Sequence, residues 1–196
     1  MKAESLAAAL SWIFHPTVMT AVLFLAASPA LDYGPLGAAI AVFTYSLLPL
    51  TLLAALRALG LVSSFDVVRA SQRLAPLVLA EASYVVGIII TALASRSRGL
   101  LLLEALYLVN SAIVIIVTLL LKFKISIHVS TASAIVTAIV YLGGPSLLPL
   151  FVIPAALTWA RVKLGVHTIR QVAAGWAFIP LTLAQLLLYL GPAFRR

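Results

Sequence analysis

The chain has 196 residues, of which 64% are apolar and only 9% charged. A water-soluble domain carries about 25% charged residues, so this composition excludes an ordinary soluble domain and points to helices packed in lipid. Thirteen Lys and Arg against five Asp and Glu give a net charge of +8, which directs attention to anionic headgroups or anionic substrates; so little soluble surface argues against nucleic acid. No cysteine is present, so neither a disulfide framework nor a thiolate metal site is expected. Asn110 is the only asparagine and glutamine occurs three times, a pattern of thermolabile-residue depletion found in thermophile proteins.

A spanning helix needs about 20 apolar residues, and seven stretches qualify or nearly do. The first covers about 6–29, follows Lys2 without a small-residue cleavage site, and reads as a retained helix closed by Gly34-Pro35. The second covers about 36–61 and leads into a polar segment with Ser63, Ser64, Asp66, Arg69 and Arg73. The third covers about 74–95 and ends on Ser95-Arg96-Ser97-Arg98-Gly99; the fourth covers about 100–121 and ends on Lys122-Phe123-Lys124. The fifth, about 127–142, is short and stops at Gly143-Gly144-Pro145. The sixth, about 146–160, contains Pro149 and Pro154, and the seventh covers about 172–192. No repeat or linker interrupts the order, so the expectation is a single all-α domain over 1–196: a polytopic membrane bundle of six to seven transmembrane helices.

Charge inside such a chain is expensive and usually functional. The segments Arg69–Arg73, Lys122–His128 and Arg161–Gln171 follow the second, fourth and sixth stretches, so two crossings separate each pair and all three emerge on one face. Setting aside Arg69, Arg73, Lys124, Arg161 and Lys163 leaves Lys2, Arg57, Lys122 and Arg170 on that face and Arg96, Arg98, Arg195 and Arg196 on the other, so the positive-inside rule assigns no side.

The run Arg161-x5-His167 with Leu164-Gly165-Val166-His167, then Ala174-Gly175-Trp176, resembles the third signature of the type-2 phosphatidic acid phosphatase superfamily, whose pattern is Ser-Arg, five residues, His, three residues, Asp. Ala160 stands at the Ser position and Gln171 at the Asp position. The second signature, Pro-Ser-Gly-His, is matched by Ile125-Ser126-Ile127-His128, which keeps Ser and His. The first, Lys, six residues, Arg-Pro, is matched by Asp66, six residues, Arg73, with Pro76 three residues on; Arg69 or Lys124 would supply the missing cation. The resemblance covers about 62–180 and takes in lipid phosphate phosphatases, undecaprenyl pyrophosphate phosphatases and vanadium haloperoxidases.

The resemblance implies a metal-independent hydrolase without cofactor, acting on a lipid or polyprenyl phosphate or diphosphate. His167 would attack phosphorus, His128 would protonate the leaving oxygen, and Arg73, Arg161 and the amides around Ser126 would hold the phosphoryl oxygens. Imidazole suits both proton transfer and attack near neutral pH, and phosphoryl transfer rests mainly on positioning and charge stabilisation. Gln171 offers a carbonyl to His167 but no full charge, and Ile127 adds a side chain where backbone would approach phosphate. A rearranged phosphatase, a phospho-headgroup transferase and an anionic-lipid binder with an impaired site all fit those departures.

Other polar residues carry further expectations. His15-Pro16 breaks the first stretch, and His15 either fills the gap or lines the cavity. Glu81 pairs with a site cation or His15, or hydrogen-bonds within the bundle. Glu104, near Arg98, reads as half of a local ion pair. Lys163 lies at the site rim or faces lipid, and Trp12, Trp159 and Trp176 read as belt or packing residues.

Overall fold

The computed structural model describes residues 2–67 and 70–191, and among them it is all α. Ten α-helices follow in order: α1 (Lys2–Ile13), α2 (Pro16–Leu31), α3 (Gly34–Val42), α4 (Leu48–Ala58), α5 (Leu74–Ile90), α6 (Arg98–Leu120), α7 (Ile127–Gly143), α8 (Val152–Lys163), α9 (Ile169–Trp176) and α10 (Phe178–Tyr189). A π-helical turn, Phe43–Leu47, joins α3 to α4, and a second, Thr91–Ser95, extends α5. Pro145–Phe151 is a 3-10 segment leading into α8.

Five of the resulting rods are long and apolar enough to cross a membrane: Gly34–Ala58, Leu74–Ser95, Arg98–Leu120, Pro145–Lys163 and Ile169–Tyr189. These coincide closely with five of the seven apolar stretches. The first stretch is instead two helices, α1 and α2, bent by 43°. His15 is the break point, because Pro16 has no N–H for an unbroken ladder and is well suited to the first position of a new helix.

The helices group into two compact units, Met1–Ala30 with Ile125–Arg196, and Leu31–Lys124. In the first unit α7 is the hub. It packs against α8, α9, α10 and the 3-10 segment, while α1 packs on α8. Its buried residues include Ala132, Ser133, Ala134, Thr137 and Ala138, small side chains that let neighbouring backbones approach. The closest approach is to α9: a Cβ on Gly175 would lie 2.9 Å from the Val129 side chain and 3.0 Å from the Ser130 amide nitrogen. Only glycine fits there without displacing α7.

In the second unit α5 packs against α4 and α6. Gly87 of α5 makes room for Thr44 and Tyr45 in the first π turn. Tyr45 is fully buried, stacks on Tyr84 at 4.8 Å and meets Tyr107 edge-on at 5.5 Å.

Candidate functional site

The chain contains three histidines, and all three belong to the first unit and are buried. His128 is the second residue of α7, and Ser126 is the N-cap of that helix. The His128 ring meets the His15 ring edge to face, with centroids 5.5 Å apart. A ring N–H of His128 donates to the backbone carbonyl of Ser11 on α1. The charges of Arg161, His15 and His167 all reach the His128 ring. Residues separated by more than a hundred positions therefore share one electrostatic neighbourhood.

Arg161 lies in the last turn of α8 and is only 1% exposed. The main chain then folds back over it: the His167 amide donates to the Arg161 carbonyl at 3.3 Å. Gly165 makes this reversal possible with φ +66, a conformation that L side chains rarely adopt. The Arg-x5-His spacing is thus the length of one tight excursion that returns the histidine to the end of the arginine's helix.

His167 is held from the next helix. Thr168 is the N-cap of α9 and forms a capping box with Gln171: the Thr168 side chain accepts from the Gln171 amide, and Gln171 Oε1 accepts from the Thr168 amide at 3.2 Å. The same Oε1 is 3.0 Å from His167 Nδ1. A backbone N–H can bond only to the oxygen of a side-chain amide, which fixes which way Gln171 points. His167 Nδ1 faces that oxygen and must be the donor. The neutral ring therefore carries its proton on Nδ1 and its lone pair on Nε2.

His15 is set with the opposite sense. The Thr17 amide donates to His15 Nδ1 at 3.4 Å, and the Thr17 hydroxyl lies 2.8 Å from the same nitrogen. The ring caps the first turn of α2 through a lone pair on Nδ1. Trp12, itself exposed, stacks on the His15 ring with centroids 5.8 Å apart.

Ser126 departs from its expected role. Its amide donates to the Gln171 carbonyl at 3.1 Å, so that N–H serves to join α9 to α7 and is not offered to a ligand. Its side chain is fully buried, and Oγ has no hydrogen-bond partner among the described residues. The first-turn amides of α7 beyond Ser126 lack acceptors within the helix, as at any helix start.

The remaining sequence candidates are placed as follows. Lys163 is exposed, two residues beyond Arg161 and so about 200° around the helix; it does not join the buried group. Arg73 and Lys124 belong to the second unit, where Arg73 is the 3% exposed N-cap of α5 and Lys124 is half-buried. Arg69 lies outside the described residues. Glu81 follows the bundle alternative, accepting a hydrogen bond from Ser111 on α6. Glu104 does not pair with Arg98; it is fully buried and accepts from Thr91 at 2.9 Å. The reason is helical spacing: six residues separate Glu104 from Arg98, whereas facing partners are three or four apart. Trp176 is a packing residue that donates to the Thr158 hydroxyl at 2.9 Å.

The sign of the first unit is uniform. Glu4, exposed near the start of α1, is its only acidic residue. A buried guanidinium and three buried imidazoles in that setting form a cluster without acidic neighbours, a setting suited to an anion. Among the described residues no three His, Cys, Asp or Glu side chains are grouped to hold a metal ion. No family model, no curated protein and no solved structure matches the chain.

Proposed function

We propose that this membrane protein is a metal-independent phosphatase of the type-2 phosphatidic acid phosphatase kind, hydrolysing a lipid or polyprenyl phosphate or diphosphate, and that it is a multi-pass protein of the cell membrane. The observation that carries the reading is the convergence of His128, His167 and Arg161, buried together in a unit whose only carboxylate is exposed.

On this reading His167 Nε2 attacks phosphorus while the bond to the leaving oxygen breaks. His128, anchored by one ring N–H to Ser11 and protonated on its other nitrogen when the phosphate anion is bound, gives that second proton to the oxygen. Arg161 stabilises the phosphoryl oxygens through its planar fork of donors. Water, deprotonated by His128, then attacks the phosphohistidine, and the P–N bond breaks to release phosphate and restore neutral His167. Gln171 keeps the attacking lone pair on Nε2 throughout and partly stabilises the positive ring formed on attack. A substrate anchored in the bilayer suits a basic cluster in a protein whose helices are apolar enough to cross a membrane.

Gln171 at the position of the family's Asp beside His167, and the use of the Ser126 amide within the fold, favour a second reading, a phospho-headgroup transferase or an anionic-lipid binder with slow turnover. The test is phosphate release from lipid and polyprenyl phosphates in detergent, with and without an alcohol acceptor, comparing wild type with His167→Ala. Release that His167→Ala abolishes supports the phosphatase. Product formed only with the acceptor supports the transferase, and equal background in both proteins supports the binder.

A further inference from the structure

The second unit contains a buried charge that the phosphatase reading does not use. Glu104 lies in the second turn of α6, within one of the membrane-spanning rods, and is 0% exposed. Its Oε1 accepts from Thr91, and its Oε2 has no hydrogen-bond partner among the described residues. Electrostatically it reaches Tyr33 at the head of α3 and Tyr45 in the first π turn. Tyr45 in turn feels Tyr107 from α6 and Glu81 from α5. The groups shown to interact with Glu104 are thus two phenols and a hydroxyl; among the described residues no lysine, arginine or histidine is shown acting on it.

A carboxylate enclosed in a lipid-embedded bundle needs compensating positive charge. Here the described side chains around Glu104 do not supply it. We propose that Glu104 is the centre of a binding site for one monovalent cation, arriving either as a proton on Oε2 or as a sodium ion shared between Oε2 and the Thr91 hydroxyl oxygen. Both flanking rods are irregular at this level: Tyr45 lies inside one π turn and Thr91 opens the other. π turns within α-helices occur frequently at functional sites, and oxygen ligands suit a hard cation. The proposal is independent of the histidine cluster, because it uses none of the same residues.

The experiment is thermal unfolding of the purified full chain in detergent. Sodium chloride is titrated against choline chloride at constant ionic strength, and the series is repeated at several pH values from acid to neutral. The readout is the wild-type shift minus that of Glu104→Gln, so responses of the histidines cancel. A ligand that binds only the folded state raises Tm. Sodium binding is expected to raise the wild-type Tm by several degrees relative to the variant. Proton binding is expected to raise it as pH falls, with no difference between sodium and choline. Either result supports the site and names its occupant. A wild-type Tm indifferent to both overturns the proposal, as does a variant that responds like wild type. Glu104→Met, which also removes both oxygens, provides the same comparison if Glu104→Gln does not fold.

Discussion

Gln171 Oε1 receives two hydrogen bonds at once, from His167 Nδ1 at 3.0 Å and from the Thr168 amide at 3.2 Å. One oxygen therefore starts a helix and fixes a histidine tautomer. Gln171→Leu is expected to lower phosphate release by at least about 100-fold, by analogy with the loss of an orienting partner in a catalytic triad. Gln171→Glu keeps the acceptor and adds charge beside the ring, so it should retain or raise turnover. Rates under substrate saturation check both variants, with Tm recorded to separate a lost cap from a lost tautomer.

His167 and His128 differ in what they leave behind. Rapid quenching of the wild type during turnover should trap a base-stable, acid-labile phosphoryl group on His167. His128→Ala should slow turnover by about 100-fold or more, the usual contribution of a general acid or base, and His167→Ala should give no adduct. Labelled substrate followed by peptide mapping makes the assignment.

Arg161 should resist conservative replacement. Lysine keeps the charge but loses the two-pronged geometry, which matters at buried sites for phosphate. Arg161→Lys is expected to raise KM for the lipid phosphate by about tenfold or more, consistent with loss of a charge-assisted bond of about 1.5–3 kcal/mol. The KM and kcat of purified protein decide this, with loss of binding dominating.

Gly175→Ala tests the seam between α9 and α7. The added methyl would meet Val129 and the Ser130 backbone at about the distances given above, and overpacking of this kind costs about 1–3 kcal/mol. A lower Tm together with reduced activity is expected, because the same seam holds Gln171 against Ser126.

The rods were legible in the sequence because lipid imposes a simple rule: long uninterrupted apolar runs. The stretches placed at about 74–95 and 127–142 correspond to Leu74–Ser95 and Ile127–Gly143. The break at His15-Pro16 was legible for the same reason that any internal proline is. The His167–Gln171 pairing followed from the family resemblance, which sets Gln171 where the signature has its Asp. Other features depend on contacts that periodicity does not encode. The edge-to-face meeting of His15 and His128 joins positions far apart in the chain. The Ser126 amide binds a carbonyl, and any residue supplies a carbonyl, so no side-chain pattern announces it. Glu104 was misread because closeness in sequence to Arg98 suggested a pair, while its partner Thr91 sits across a turn on the preceding helix. The two π turns leave no compositional trace at all.

The brevity of α7 bears on how a lipid substrate of the proposed kind would reach the histidines. Its 17 residues rise about 26 Å at 1.5 Å each, short of the roughly 30 Å of bilayer hydrocarbon. The adjoining rods Pro145–Lys163 and Ile169–Tyr189 have 19 and 21 residues. With His128 in its opening turn, such a helix favours a local dimple in the leaflet. On the proposed function, an amphiphile engaging these histidines would sink its polar head below the level of its neighbours and keep its tails in oil from approach to departure.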